Sequence, residues 1–86
     1  MQKDNLKPVV QEIEYGTIQV NLDKLMEKAD VSTYKLNNAT NIRFQTIQTL
    51  KENNATRIDF NVLAKLCYTL NCNVADILEY VSNTEK

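Results

Sequence analysis

The sequence predicts an all-α domain of five short helices, and three observations carry that prediction. Glycine and proline occur once each in 86 residues, too few for the turn-rich chains of sandwiches and barrels. Apolar residues recur at helical spacing in five successive stretches. Short polar runs separate those stretches. An apolar content of 43% is enough for one small core, and the length fits one domain.

The first helix is expected at 22–29, where Leu22, Leu25, Met26 and Ala29 follow the i, i+3, i+4, i+7 rule after an Asn21 N-cap. Asp30-Val31 breaks the pattern. Ser32 is the next N-cap, leading a short helix over Thr33–Ala39 with Leu36 and Ala39 inward. Thr40-Asn41-Ile42 makes a tight connection, because Asn tolerates the left-handed backbone that ends a helix. The third helix spans about 43–52, with Ile47 and Leu50 inward, and "ENNATR" is a polar loop. Asp59 caps a fourth helix carrying Phe60, Leu63, Leu66, Cys67 and Leu70. After the turn "NCNV", a fifth, shorter helix carries Val74, Ile77 and Leu78. The buried set expected from these phases is Leu36, Ile47, Leu50, Leu63, Leu66 and Cys67.

The ends are less determined. "PVVQEIEYG" admits one helical turn or the first arm of a hairpin. "TIQV" alternates, so a short strand at Thr17–Val20 is expected, paired with Glu79–Ser82 as a terminal β-pair. Residues 1–16 then form an N-terminal extension, 17–82 the domain and 83–86 a tail.

Composition narrows the function. There is no His, and Cys67 and Cys72 are the only thiols. Two Cys without His do not complete a zinc site, so no metal, no cofactor and no catalytic residues are expected, and the chain is not read as an enzyme. A bridge between thiols five residues apart is poorly supported by geometry. The "NAT" triplets at Asn38 and Asn54 match a glycosylation acceptor without a secretion signal beside them. The start "MQKDNLKP" lacks the apolar core of a signal peptide, and no apolar run reaches about 20 residues. A cytoplasmic chain without membrane partners is expected.

Charge is unevenly placed. Residues 31–57 carry Lys35, Arg43, Lys51 and Arg57 against Glu52 alone, a net of +3 between flanks of −2 each. Within that island "NATNIRFQTIQTL", residues 38–50, has no acid. A basic, acid-free stretch is the footprint of an anion-binding face, or simply a solvated surface of few charges.

The segment "LDKLMEKADVSTYKLNNATNIRFQTIQTLKENNATRIDFNVLAKLCYTLNCNVADILEYV", residues 22–81, resembles the Cro/CI phage-repressor type of helix-turn-helix domain, the XRE-like family. The likeness rests on "S-x-x-x-L-x-x-x-T-x-I", the "T-I-x-x-L" of the next helix and the tail "RIDF…LC…LNC…DILEYV". It implies a sequence-specific regulator of double-stranded DNA, a repressor that binds a palindromic operator as a homodimer. A recognition helix at about 43–52 would then enter the major groove. With Ile47 and Leu50 inward, its base-reading side chains would be Arg43, Phe44, Gln45, Gln48 and Thr49. Ser32, Thr33, Lys35, Asn53, Asn54 and Arg57 would hold phosphates, setting register without reading sequence. Tyr34 fits either that role or packing on the first helix. The missing acids follow, since DNA phosphates repel carboxylates.

Three positions depart from the family's pattern. Asn37 stands in place of a small Ala, Asn41 in place of the turn Gly, and Arg43 in place of a Ser-like cap. An unpartnered buried Asn37 costs about 1–3 kcal/mol, unless it bonds across the turn or reaches water. The competing reading is a protein-interaction module, such as an antitoxin or anti-repressor, that keeps the fold without reading DNA. The dimer surface is expected at the ends, from Tyr80 and Val81 with Ile18 and Val20, unless these pair within one chain and the monomer dimerises only on DNA.

Overall fold

The structure, a computed structural model, describes residues 14–83. The chain runs β1 (Thr17–Val20), α1 (Leu22–Ala29), α2 (Thr33–Thr40), α3 (Phe44–Lys51), α4 (Phe60–Leu70), α5 (Val74–Ile77) and β2 (Leu78–Val81). Five helices enclose the core, and the two terminal strands pair antiparallel beside it. The core is Leu22, Met26, Leu36, Ile42, Ile47, Leu50, Leu63, Leu66 and Ile77. Every helix except α2 and α5 gives it two side chains at the expected spacing.

Polar caps define the helix ends. Ser32 Oγ accepts from the Lys35 amide at 3.0 Å, and Asp59 Oδ1 accepts from Asn61 N at 2.7 Å. Asn73 and Asp76 cap each other reciprocally at the start of α5. The other ends use left-handed backbone. Asp30, Asn41, Asn53 and Asn71 all have positive φ, between 53° and 66°, just past the ends of α1, α2, α3 and α4. Short polar side chains reach this conformation at lower cost than most L-residues. The abundance of Asn is thus partly a substitute for glycine. The Lys65 ammonium also donates to the Thr40 carbonyl at 3.0 Å, placing a cation at the negative end of α2.

Several expectations need correction. β2 is Leu78–Val81, not Glu79–Ser82, with Thr17 opposite Val81 and Val20 opposite Leu78. Leu78 leaves α5 directly into extended backbone, so its apolar side chain belongs to the sheet. Asn21 makes no side-chain cap on α1. Its amide instead donates to Glu79 Oε1 at 3.1 Å, and its backbone N–H donates to Ile77 O at 2.7 Å, tying the two ends of the domain. Ala29 and Ala39 are exposed, Phe60 is 84% exposed and Val74 is also outside the core. Each lies at or near a helix end, beyond the reach of the core its spacing points toward. Cys67 is half-buried and packs against the core edge. Cys72 lies closer to it than five residues of separation suggest: its amide donates to Cys67 O at 3.0 Å. Burial pushes the Cys72 thiol up, and the neighbouring Cys67 adds to the shift. Both thiols are free.

The expected turn or hairpin arm at 8–16 lies outside the described residues up to residue 13. Residues 14–16 carry neither helix nor strand. They run against β2: Tyr80 Oη donates to Tyr15 O at 2.6 Å, and Gly16 has φ 93°. A Cβ at Gly16 would stand 2.5 Å from the Val81 carbonyl oxygen.

Candidate nucleic-acid interface

α2 and α3 are joined by Asn41, Ile42 and Arg43. Asn41 supplies the left-handed turn, and buried Ile42 pins it to the core. Asn37 Nδ2 donates to Ile42 O at 2.6 Å, so the amide bonds across the turn and is not orphaned. Thr40 Oγ1 donates to Leu36 O at 2.7 Å and accepts from Ile42 N at 3.1 Å. Together these bonds fix the angle between the helices. Arg43 stands at the N-cap of α3 and makes no side-chain cap, which leaves its guanidinium available at the surface.

Helix geometry turns each residue by about 100°. With Ile47 and Leu50 buried, Gln45 points most directly outward. Gln48 flanks it toward α2, and Thr49 flanks it toward the loop before α4. Arg43, Phe44 and Gln45 are exposed, and Gln48 and Thr49 are half-buried. Thr49 Oγ1 donates to the Gln45 carbonyl at 2.9 Å, so its hydrogen is used within the helix and its methyl remains available. On this side a cleft of about 430 Å³ brings Arg43, Gln45 and Thr49 together with Asn54 and Arg57.

The side toward α2 is built differently. Thr33 is only 8% exposed. Its hydroxyl donates to Gln48 Oε1 at 3.0 Å and accepts from Lys51 Nζ at 2.9 Å. Lys51 in turn lies 3.9 Å from the Asp23 carboxylate of α1. Of the expected phosphate contacts, Ser32 and Lys35 lie at the exposed start of α2, whereas the Thr33 side chain is committed inside. Asn53 Oδ1 accepts from Val20 N at 2.8 Å, holding β1 to the end of α3. Asn54 and Arg57 are exposed. Tyr34 is exposed. Sequence reasoning missed Lys51 and Asp23. Lys51 had a signal, since it falls one turn after Gln48; Asp23 had none.

Among the described residues no group of His, Cys, Asp or Glu could hold a metal ion. None of their helices is long and apolar enough to cross a membrane.

Two short helices, locked at a three-residue turn and presenting an acid-free polar face from the second, define a helix-turn-helix domain. The chain belongs to the family of Cro/C1-type HTH DNA-binding domains, whose model matches residues 21–83. The fold is also similar to the crystal structure of the transcriptional regulator VanUg, Form II. That likeness has 23% identity and a TM-score of 0.64, covering 88% of this chain and 100% of the other. No curated protein matches the chain.

Proposed function

We propose that the protein is a cytoplasmic, sequence-specific transcriptional regulator, a repressor, that binds a two-fold operator as a homodimer. It is not an enzyme on this reading. Residues 17–82 form the DNA-binding unit, with 1–16 as an extension. The observation that carries the proposal is the face of α3. Arg43, Phe44, Gln45 and Thr49 share it with no carboxylate among them, and Asn54 and Arg57 flank it at the edge of one cleft. Gln45 reads a base, and Arg57 holds a phosphate. Ser32 and Lys35 grip the backbone from the start of α2. The structurally similar VanUg is a transcriptional regulator, which agrees with this role.

Selection of bound sequences from random duplexes tests the reading. Gln45→Ala should cost about 1–3 kcal/mol at the selected site and alter preference at one base pair. Arg57→Ala should weaken binding to all sequences and lower the salt slope by about one unit. Unchanged affinity and preference in the first variant would refute the readout role. The selected site should be palindromic, with half-sites roughly 34 Å apart. Sedimentation of the protein on that duplex checks for two chains per site.

A second reading, a protein-interaction module, is favoured by one observation. Phe60 and Tyr68 project from α4 at 84% and 89% exposure, two aromatic rings left to solvent among the described residues. Binding to duplex that survives excess nonspecific competitor separates the two.

A further inference from the structure

In an unbroken helix, residues five apart stand about 8.6 Å from each other at Cα, beyond the roughly 7 Å that a disulfide can span. Cys67 and Cys72 do not lie in an unbroken helix. α4 ends at Leu70, and Asn71 follows with φ 53° and ψ 56°. This left-handed residue folds the chain back over the last turn. The Cys72 N–H donates to the Cys67 carbonyl at 3.0 Å, and the Asn71 N–H donates to the Tyr68 carbonyl at 3.3 Å. In a helix end built on this pair of bonds, the residues joined by the outer bond commonly touch through their side chains. Here both of those residues are cysteines. Bond lengths and the 3.0 Å contact limit their Cα separation to about 7 Å, and the bend of that path shortens it further. Burial raises the Cys72 thiol, followed by the charges of Cys67 and Asp76 and a hydrogen bond to the Cys67 side chain, so the two sulfurs are in contact. Both thiols are free and half-buried. Cys72 also borders a surface cleft of about 330 Å³ beside Leu25 and Lys28 of α1, which gives a small reagent access.

We propose that Cys67 and Cys72 are a modification site, a thiol pair that closes reversibly to an intramolecular disulfide when it meets a small disulfide such as oxidised glutathione. One thiolate attacks the small disulfide, forms a mixed disulfide and releases one small thiol. The second thiolate attacks the mixed disulfide and releases the other small thiol. The pair loses two electrons and two protons, and the reagent gains both. In a reducing compartment the pair stays open, because such a bridge lasts only while the oxidant does. Closure ties the end of α4 to the turn that leads into α5, whose Ile77 sits in the core. The site is independent of what the α3 face binds.

Oxidised glutathione added to the full, reduced chain in native buffer tests this. The chain should lose two hydrogen atoms in mass and run as a single chain on a non-reducing gel. The loss should lie within the peptide that spans Cys67 and Cys72, and dithiothreitol should reverse it. Cys67→Ser and Cys72→Ser should each stop at the mixed disulfide, gaining the mass of one glutathione. If either variant does not fold by circular dichroism, the wild-type mass carries the test alone. In the closed form the Cys72 amide, whose bond seals the turn, should exchange about tenfold more slowly, and an unchanged rate would overturn the tie between α4 and the turn. A wild-type chain that stops at the mixed disulfide, links to a second chain or does not react overturns the inference. So does closure seen only in urea, because the folded turn would then not be what brings the thiols together.

Discussion

The helix-turn-helix and the terminal strand pair solve opposite problems. Around α2 and α3, polar side chains turn inward. Thr33, Asn37 and Thr40 hold Gln48, Lys51 and the Ile42 peptide with bonds of 2.6–3.1 Å. The outward residues of α3 itself carry no acid, although Asp59 lines the cleft beside them. Around β1 and β2 the reverse holds. Val20 and Leu78 reach the core, while their neighbours on the same face, Ile18 and Tyr80, stand 59% and 61% exposed. The first region uses buried hydrogen bonds to fix the placement of a polar surface. The second leaves apolar surface outside and joins the body through few bonds, among them Asn53 to Val20. A small domain can thus tie one face down with polar bonds and leave another apolar and exposed.

The largest test of that contrast is Leu50→Ala. Leu50 is 2% exposed and borders both the α3 cleft and the groove beside the strands. Its loss should cost roughly 2–5 kcal/mol, comparable with the whole stability of a domain this small. Thermal melting should show both regions failing in one transition. A melting point within a degree or two of wild type would mean the two regions do not share this core.

Gly16→Ala should separate the regions. The new methyl meets the Val81 carbonyl at 2.5 Å, at a φ that L-residues rarely adopt. The expected cost is about 1–3 kcal/mol, confined to the strands. Amide exchange should accelerate in β1 and β2 and stay slow in α2 and α3. Equal acceleration everywhere would show the sheet to be part of the cooperative core.

Asn53→Gly is the finest cut. It keeps the left-handed backbone and removes only the acceptor for Val20 N. A loss of about 0.5–1.5 kcal/mol is expected, with faster exchange at the Val20 amide as its signature. Unchanged exchange there would show that the strand does not depend on α3 for its seat.

How much of this was legible beforehand follows the range of each interaction. The α1 helix and the inward set Leu36, Ile47, Leu50, Leu63 and Leu66 follow from spacing alone, because local periodicity decides which face is buried. Ser32 and Asp59 were legible as caps, since capping acts within three residues. Spacing misled at helix ends, where Phe60 and Val74 keep the phase but extend past the core. Spacing put Leu78 in the fifth helix whereas it starts β2, because a single apolar residue fits a helix or a strand equally well. The fold class and the face of α3 were readable through the resemblance. The lock on that face was not. Thr33 and Gln48 are fifteen residues apart, and no pattern in either helix announces that their side chains meet.

The left-handed helix ends leave room for change. Three of them, at Asp30, Asn41 and Asn71, keep a Cβ where a glycine would be relaxed. At Asn41 and Asn71 the cap bonds run from the backbone N–H, which a glycine would keep. Replacing such residues is among the simplest routes to a more heat-resistant chain, each step contributing about 0.5 kcal/mol or more. A population of this protein drifting toward glycine at those positions would gain tolerance for otherwise damaging substitutions. The outward face of α3 is a natural place to use that tolerance, because changes of surface chemistry there often begin as destabilised variants.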